Sequence, residues 1–150
     1  MKNLVDPIPS LCLDGHYSEE TIVSKAREFR IKRAMERDVP VILKFIRELA
    51  EYEKLSHEVI ATEESLRESL FGPRPVAEVI IGYAGTEPAV FAVFFHNYST
   101  FLGRPGLYVE DLFVSPEWRG RGLGRRLLAY VANLAVTRAA AAGWNGPCST

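Results

Sequence analysis

The stretch Gly106–Ala132, GLYVEDLFVSPEWRGRGLGRRLLAYVA, decides the fold. Leu107–Val114 is dense in apolar, aromatic and β-branched residues and reads as a buried strand. Ser115-Pro116-Glu117-Trp118 is a turn, with the proline ending the ladder. The run from Arg119 to Arg126 then opens a helix with apolar positions Leu123, Leu127, Leu128, Val131, Leu134 and Ala135. Gly120, Gly122 and Gly124 alternate with or flank Arg119, Arg121, Arg125 and Arg126 at its start.

That crowding carries chemistry. A helix N-terminus bears about half a positive charge and several unpaired N–H groups. Arginines there are unfavourable unless an anion arrives, and glycines make sense where something must approach the backbone closely. Together they describe an anion cradle, best suited to a phosphate or pyrophosphate. Without Gly-Lys-Ser/Thr the stretch is no P-loop, and its G-x-G-x-G spacing fails the dinucleotide fingerprint. On residue physics alone, a solvated basic helix start and a nucleic-acid contact stay open as alternatives.

Working outward, Phe29–Ala34 alternates apolar and basic residues as a half-exposed strand. Asp38 is placed to cap a helix carrying Val41, Ile42, Phe45, Ile46, Leu49 and Tyr52, running to about Leu55. Thr62 caps a second helix through Leu70. Val76–Ala84 and Ala89–Asn97 are strands joined by a hairpin at Gly85-Thr86-Glu87-Pro88, and residues 98–106 read as a loop. Met1–Gly15 reads as loop, and Ser18 can cap a short helix.

The 150 residues suit one domain with a real core, and a net charge of −1 gives no global attraction for nucleic acid or membranes. No apolar run is long enough to span a bilayer, and no signal peptide is evident. Cys12 and Cys148 read as free thiols of a cytoplasmic protein. His16, His57 and His96 lack metal-ligand spacing, so no metal is expected.

Arg119-x-x-Gly122-x-Gly124 after a strand resembles the Q/R-x-x-G-x-G/A signature of the GNAT N-acetyltransferases. The run LYVEDLFVSPEWRGRGLGRRLL is similar to the spermidine/spermine (diamine) acetyltransferase branch, and the resemblance covers Arg30 to about Ala142. It implies an α/β (α+β) fold with a mixed, mostly antiparallel sheet flanked by helices. It implies acetyl-CoA as co-substrate, with Leu112, Phe113 and Val114 along the pantetheine. Arg119, Gly120, Arg121, Gly122, Leu123, Gly124 and Arg125 would cradle the pyrophosphate. It implies a polyamine, diamine or thialysine-like amine as acceptor, and a homodimer. Glu110 falls where this branch has its proposed base; Asp111 stands beside it and, on a regular strand, points to the opposite face. Tyr52 and Glu53 match positions lining the amine groove.

Residues 1–28 have no counterpart in the family and read as an N-terminal extension to a domain over 29–150. After Ala142 the family continues with further strands, a D-W-N-like turn and a helix bearing a tyrosine. This chain carries Gly143–Thr150 instead, and the expectation is that a one-base frameshift produced that tail. The expectation is a sheet lacking its C-terminal strands, with the strand before the signature left as an edge. A catalytically dead CoA-binding remnant or an edge-pairing assembly module is the alternative function.

Overall fold

A computed structural model describes residues 28–141. The expected Met1–Gly15 loop, the Ser18-capped helix, both cysteines, His16 and the 143–150 tail lie outside the described residues.

Seven elements follow in order: β1 (Phe29–Arg33), α1 (Val39–Tyr52), α2 (Glu63–Phe71), β2 (Glu78–Ala84), β3 (Glu87–Ser99), β4 (Arg104–Val114) and α3 (Leu123–Ala141). The strands form one antiparallel sheet in sequence order, β1-β2-β3-β4. Among the described residues β4 is therefore an edge, as the sequence reading expects.

Alternation along β2 and β3 sends side chains to both faces, and both faces are covered. Ile80, Val90, Ala92 and Phe94 pack with Leu123, Leu127 and Val131 of α3. Val79, Ile81 and Phe91 pack with Ile42 and Phe45 of α1. Phe45 stacks on Phe91 with centroids 4.8 Å apart and meets Phe113 edge-on at 6.5 Å. On α3, Leu128 departs from its expected core role and stands half exposed, one residue off the stripe through Leu123, Leu127 and Val131.

The caps explain where helices begin and end. Thr62 caps α2 as expected: the Ser65 amide donates to its Oγ1 at 3.2 Å, and its own amide donates to Ser65 Oγ at 3.0 Å. Asp38 precedes α1, but its Oδ2 accepts from the Met35 amide at 2.8 Å and so closes a short 3-10 turn instead. α1 stops at Tyr52, short of Leu55. Lys54 takes a left-handed φ of 62°, and the Leu55 amide reaches back to the Ala50 carbonyl at 2.7 Å. This is a Schellman stop made by lysine where glycine is usual, so the sequence carries no plain signal for it.

Two boundaries move for related reasons. β2 begins at Glu78, because the Val76 amide is spent on the Ser69 carbonyl at 2.9 Å. The expected loop over 98–106 is instead a continued hairpin, paired out to Ser99↔Arg104. Its side chains are largely exposed, so no burial pattern betrays it, and backbone pairing alone extends it. No described helix is long and apolar enough to cross a membrane.

Candidate active site

β4 does not run straight through the site. Val93 pairs with Asp111, but Phe94 pairs with Val109, so Glu110 is the extra residue of a β-bulge. The parity of the strand flips there. Val109 and Leu112 both pack toward α3, whereas Phe113 packs toward α1. The two intervening carboxylates, Glu110 and Asp111, thus share the α1 side, which corrects the opposite-face expectation for Asp111. Regular alternation fails at a bulge, and the bulge is set by the partner strand.

Asp111 is half-buried, and burial pushes its carboxyl above the usual aspartate range. The charges of Glu110 and of Glu53, just past the end of α1, push it in the same direction. Glu53, Glu110 and Asp111 therefore form one electronegative patch, assembled from α1 and the bulge.

Tyr52 closes the same side. It is 64% exposed, so it is a surface residue rather than core. Its ring lies 6.4 Å from Phe113, and the Arg119 guanidinium sits 4.3 Å above it. Arg119 also stands 5.4 Å from the Phe113 ring, and its Nε donates to the Val114 carbonyl at 3.0 Å. Arg119 thus ties the end of α1 to the end of β4, a job beyond the charge neutralisation expected of it.

Beyond Val114 the turn forms as read, a 3-10 turn over Pro116–Trp118. Ser115 is buried there, and its hydroxyl donates to Glu48 Oε2 at 3.0 Å. Sequence reading missed Glu48; the available signal was its position one helical turn before Tyr52, on the same face of α1.

Gly120 and Gly122 adopt left-handed φ values of 73° and 74°, which favour glycine, and a Cβ at either would meet nothing within 4 Å. The backbone lies open there. Gly124 differs: a Cβ would come within 3.2 Å of Val114 Cγ2 and 3.4 Å of Leu112 Cδ2, so this glycine lets α3 start tight against β4. Arg121 stacks on Trp118 at 4.7 Å and Arg126 on Phe29 at 4.5 Å. None of Arg119, Arg121, Arg125 and Arg126 forms an ion pair among the described residues. An open left-handed glycine pair among unneutralised guanidiniums fits a diphosphate.

Comparison with known proteins identifies the family. The pattern of the acetyltransferase (GNAT) family matches residues 40–144, and the chain belongs to that family, whose members transfer the acetyl group of acetyl-CoA to an amine. Among its relatives, the thialysine N-epsilon-acetyltransferase of Mus musculus is 39% identical over 117 residues, spanning 73% of this chain and 68% of the relative. The L-ornithine N5-acetyltransferase of Arabidopsis thaliana is 30% identical over 174 residues, spanning 85% and 76%. The fold matches an aminoglycoside acetyltransferase from an uncultured soil metagenomic sample with a TM-score of 0.63 at 19% identity, over 73% of this chain and 71% of that one.

Proposed function

We propose that this chain acetylates a primary amine of a small molecule with a second cationic group, of the thialysine, diamine or polyamine type. The observation that carries the reading is the bulge, which turns Glu110 and Asp111 to one side beside Glu53. Three carboxylates on one short surface suit an acceptor with more than one cationic nitrogen, since each nitrogen then finds its own acceptor. The named relatives act on thialysine and ornithine.

In this reading the open edge of β4 at Leu112, Phe113 and Val114 lies along the pantetheine. The backbone from Arg119 to Arg125, with its left-handed glycines, holds the diphosphate. Acetyl-CoA supplies the acyl group as a thioester. The amine arrives as an ammonium, with a pKa near ~10, and must lose a proton before it can attack. Glu110 takes that proton, directly or through a water, while Asp111 and Glu53 hold the remaining positive charge. The freed nitrogen forms the amide bond to the acetyl carbon and sheds its second proton, the carbon–sulfur bond breaks, and that proton ends on the sulfur as CoA leaves as the thiol.

Thiol release measured over thialysine, ornithine, putrescine and spermidine tests this. At least one amine should drive turnover, and Glu110→Gln should lower kcat by about 10²-fold or more while leaving acetyl-CoA affinity unchanged. Unchanged turnover removes Glu110 from the reaction. Acetyl-CoA binding without turnover on any amine points to a CoA-binding protein without catalysis.

A further inference from the structure

A second cationic surface lies on the other face of the sheet from the signature helix, beside β1. A cleft of about 270 Å³ opens beside β1, lined by Arg30, Lys32, Arg33, Arg37, Asp38 and Tyr83 among others. Arg30 pairs with Tyr83 and Lys32 with Ile81 across the β1–β2 ladder, so these side chains share the α1 face. α3, with the arginine cradle at its start, packs on the opposite face of the sheet.

Arg30, Lys32 and Arg37 here face a single lining carboxylate, while Arg33, opposite Ile80, turns its side chain to the other face. That carboxylate, Asp38, already accepts from the Met35 amide. Arg33 is held by Glu78, and Arg30 stands 3.9 Å from Glu28. Lys32 and Arg37 form no ion pair among the described residues. Lys32 Nζ lies 6.0 Å from the Tyr83 ring centre, which holds the ammonium at the cleft without neutralising it. Burial, with the charge of Asp38 behind it, pushes the Tyr83 phenol up, so its hydroxyl remains a neutral hydrogen-bond donor. Met35, half exposed, adds apolar surface to the lining.

We propose that this cleft is a separate site for a small phosphomonoester, with the phosphate on Lys32 and Arg37 and the organic body against Tyr83 and Met35. Two cations without an ion pair among the described residues match the two charges of a phosphomonoester near neutral pH. A cleft of about 270 Å³ has room for a compact phosphorylated group. The assignment does not rest on the acetyl-transfer reading, because no residue is shared with the signature helix or the bulge.

Calorimetric titration of the full chain tests it, with and without saturating CoA, using phenyl phosphate, inorganic phosphate and citrate as probes. One phenyl phosphate should bind per chain with CoA present, about tenfold tighter than inorganic phosphate because its ring buries apolar surface. The double variant Lys32→Glu/Arg37→Glu should weaken it at least about tenfold. Both positions are exposed, and an unchanged melting temperature shows that the variant is folded. The single variant Arg37→Gln should weaken it by a smaller factor. Loss of phenyl phosphate binding in the presence of CoA, full binding by the double variant, or citrate binding as tight as phenyl phosphate each overturns the proposal.

Discussion

Two sets of arginines in this molecule are held in place by different means. Arg33 and Arg138 converge on Glu78, and Arg138 does so through two hydrogen bonds of 2.6 and 2.8 Å. That carboxylate neutralises them while pinning the C-terminal part of α3 to the first residue of β2. At the other end of α3, Arg119, Arg121 and Arg126 are laid over Tyr52, Trp118 and Phe29. A ring orients a guanidinium but leaves its charge uncancelled. Arginine clamped by a carboxylate is spent on the fold, whereas arginine stacked on a ring remains available to an anion.

The sharpest way to break this contrast is at the glycines between the stacked arginines. Gly122→Val forces a branched side chain into a left-handed conformation and fills the open backbone. Acetyl-CoA affinity should fall about hundredfold, or about 2.7 kcal/mol, in a binding titration. Glu78→Ala attacks the other set. It should cost about 1–3 kcal/mol of stability in chemical denaturation and leave acetyl-CoA affinity unchanged. The Arg138 hydrogen bonds are the chief reason Glu78 holds its proton more weakly than an ordinary glutamate, and the Arg138 and Arg33 charges act in the same sense. Its folded pKa is depressed, so its contribution is complete above the ordinary value of 4.5 and is lost as pH falls through the folded value.

A smaller effect sharpens the same point. Arg121→Ala removes a charge but no ion pair, so affinity for acetyl-CoA should drop about tenfold, or ~1.4 kcal/mol, at nearly constant melting temperature. A melting temperature that falls as far as that of Glu78→Ala would show this arginine to be structural too. The smallest change comes from Asp111→Asn. Asp111 is raised by burial, then by Glu110 and Glu53, so the folded state binds its proton more tightly than the unfolded chain does. Its charged form therefore costs stability as pH rises through the folded value, and none of that cost remains below the unfolded value near 3.8. The variant should melt slightly higher than the parent at neutral pH, and the gap should close in acid.

Much of this was legible in the chain. The order of elements from β1 to α3 followed from local periods and from Thr62, whose capping partner lies three residues away. The signature helix was legible because glycines and arginines at a helix start have few other physical uses. The family and the acyl-carrier chemistry followed from the resemblance that those residues carry.

Other features left no plain trace although their partners lie only a few residues away. The stop at Lys54 relies on a lysine paying the left-handed strain that glycine avoids. The hairpin beyond Asn97 exists because two exposed segments pair with each other, leaving no apolar trace.

What the sequence by itself determined was the type and order of the elements and the chemistry of the stretch after Trp118, because both are written in residues close together in the chain. Only the tertiary structure decided that Glu110 is bulged out, that it shares a face with Asp111, and that Arg119 reaches from the turn to Tyr52. The physical reason is register: which way a strand residue faces is set by the hydrogen bonds of its neighbour, and β4 takes its register from β3.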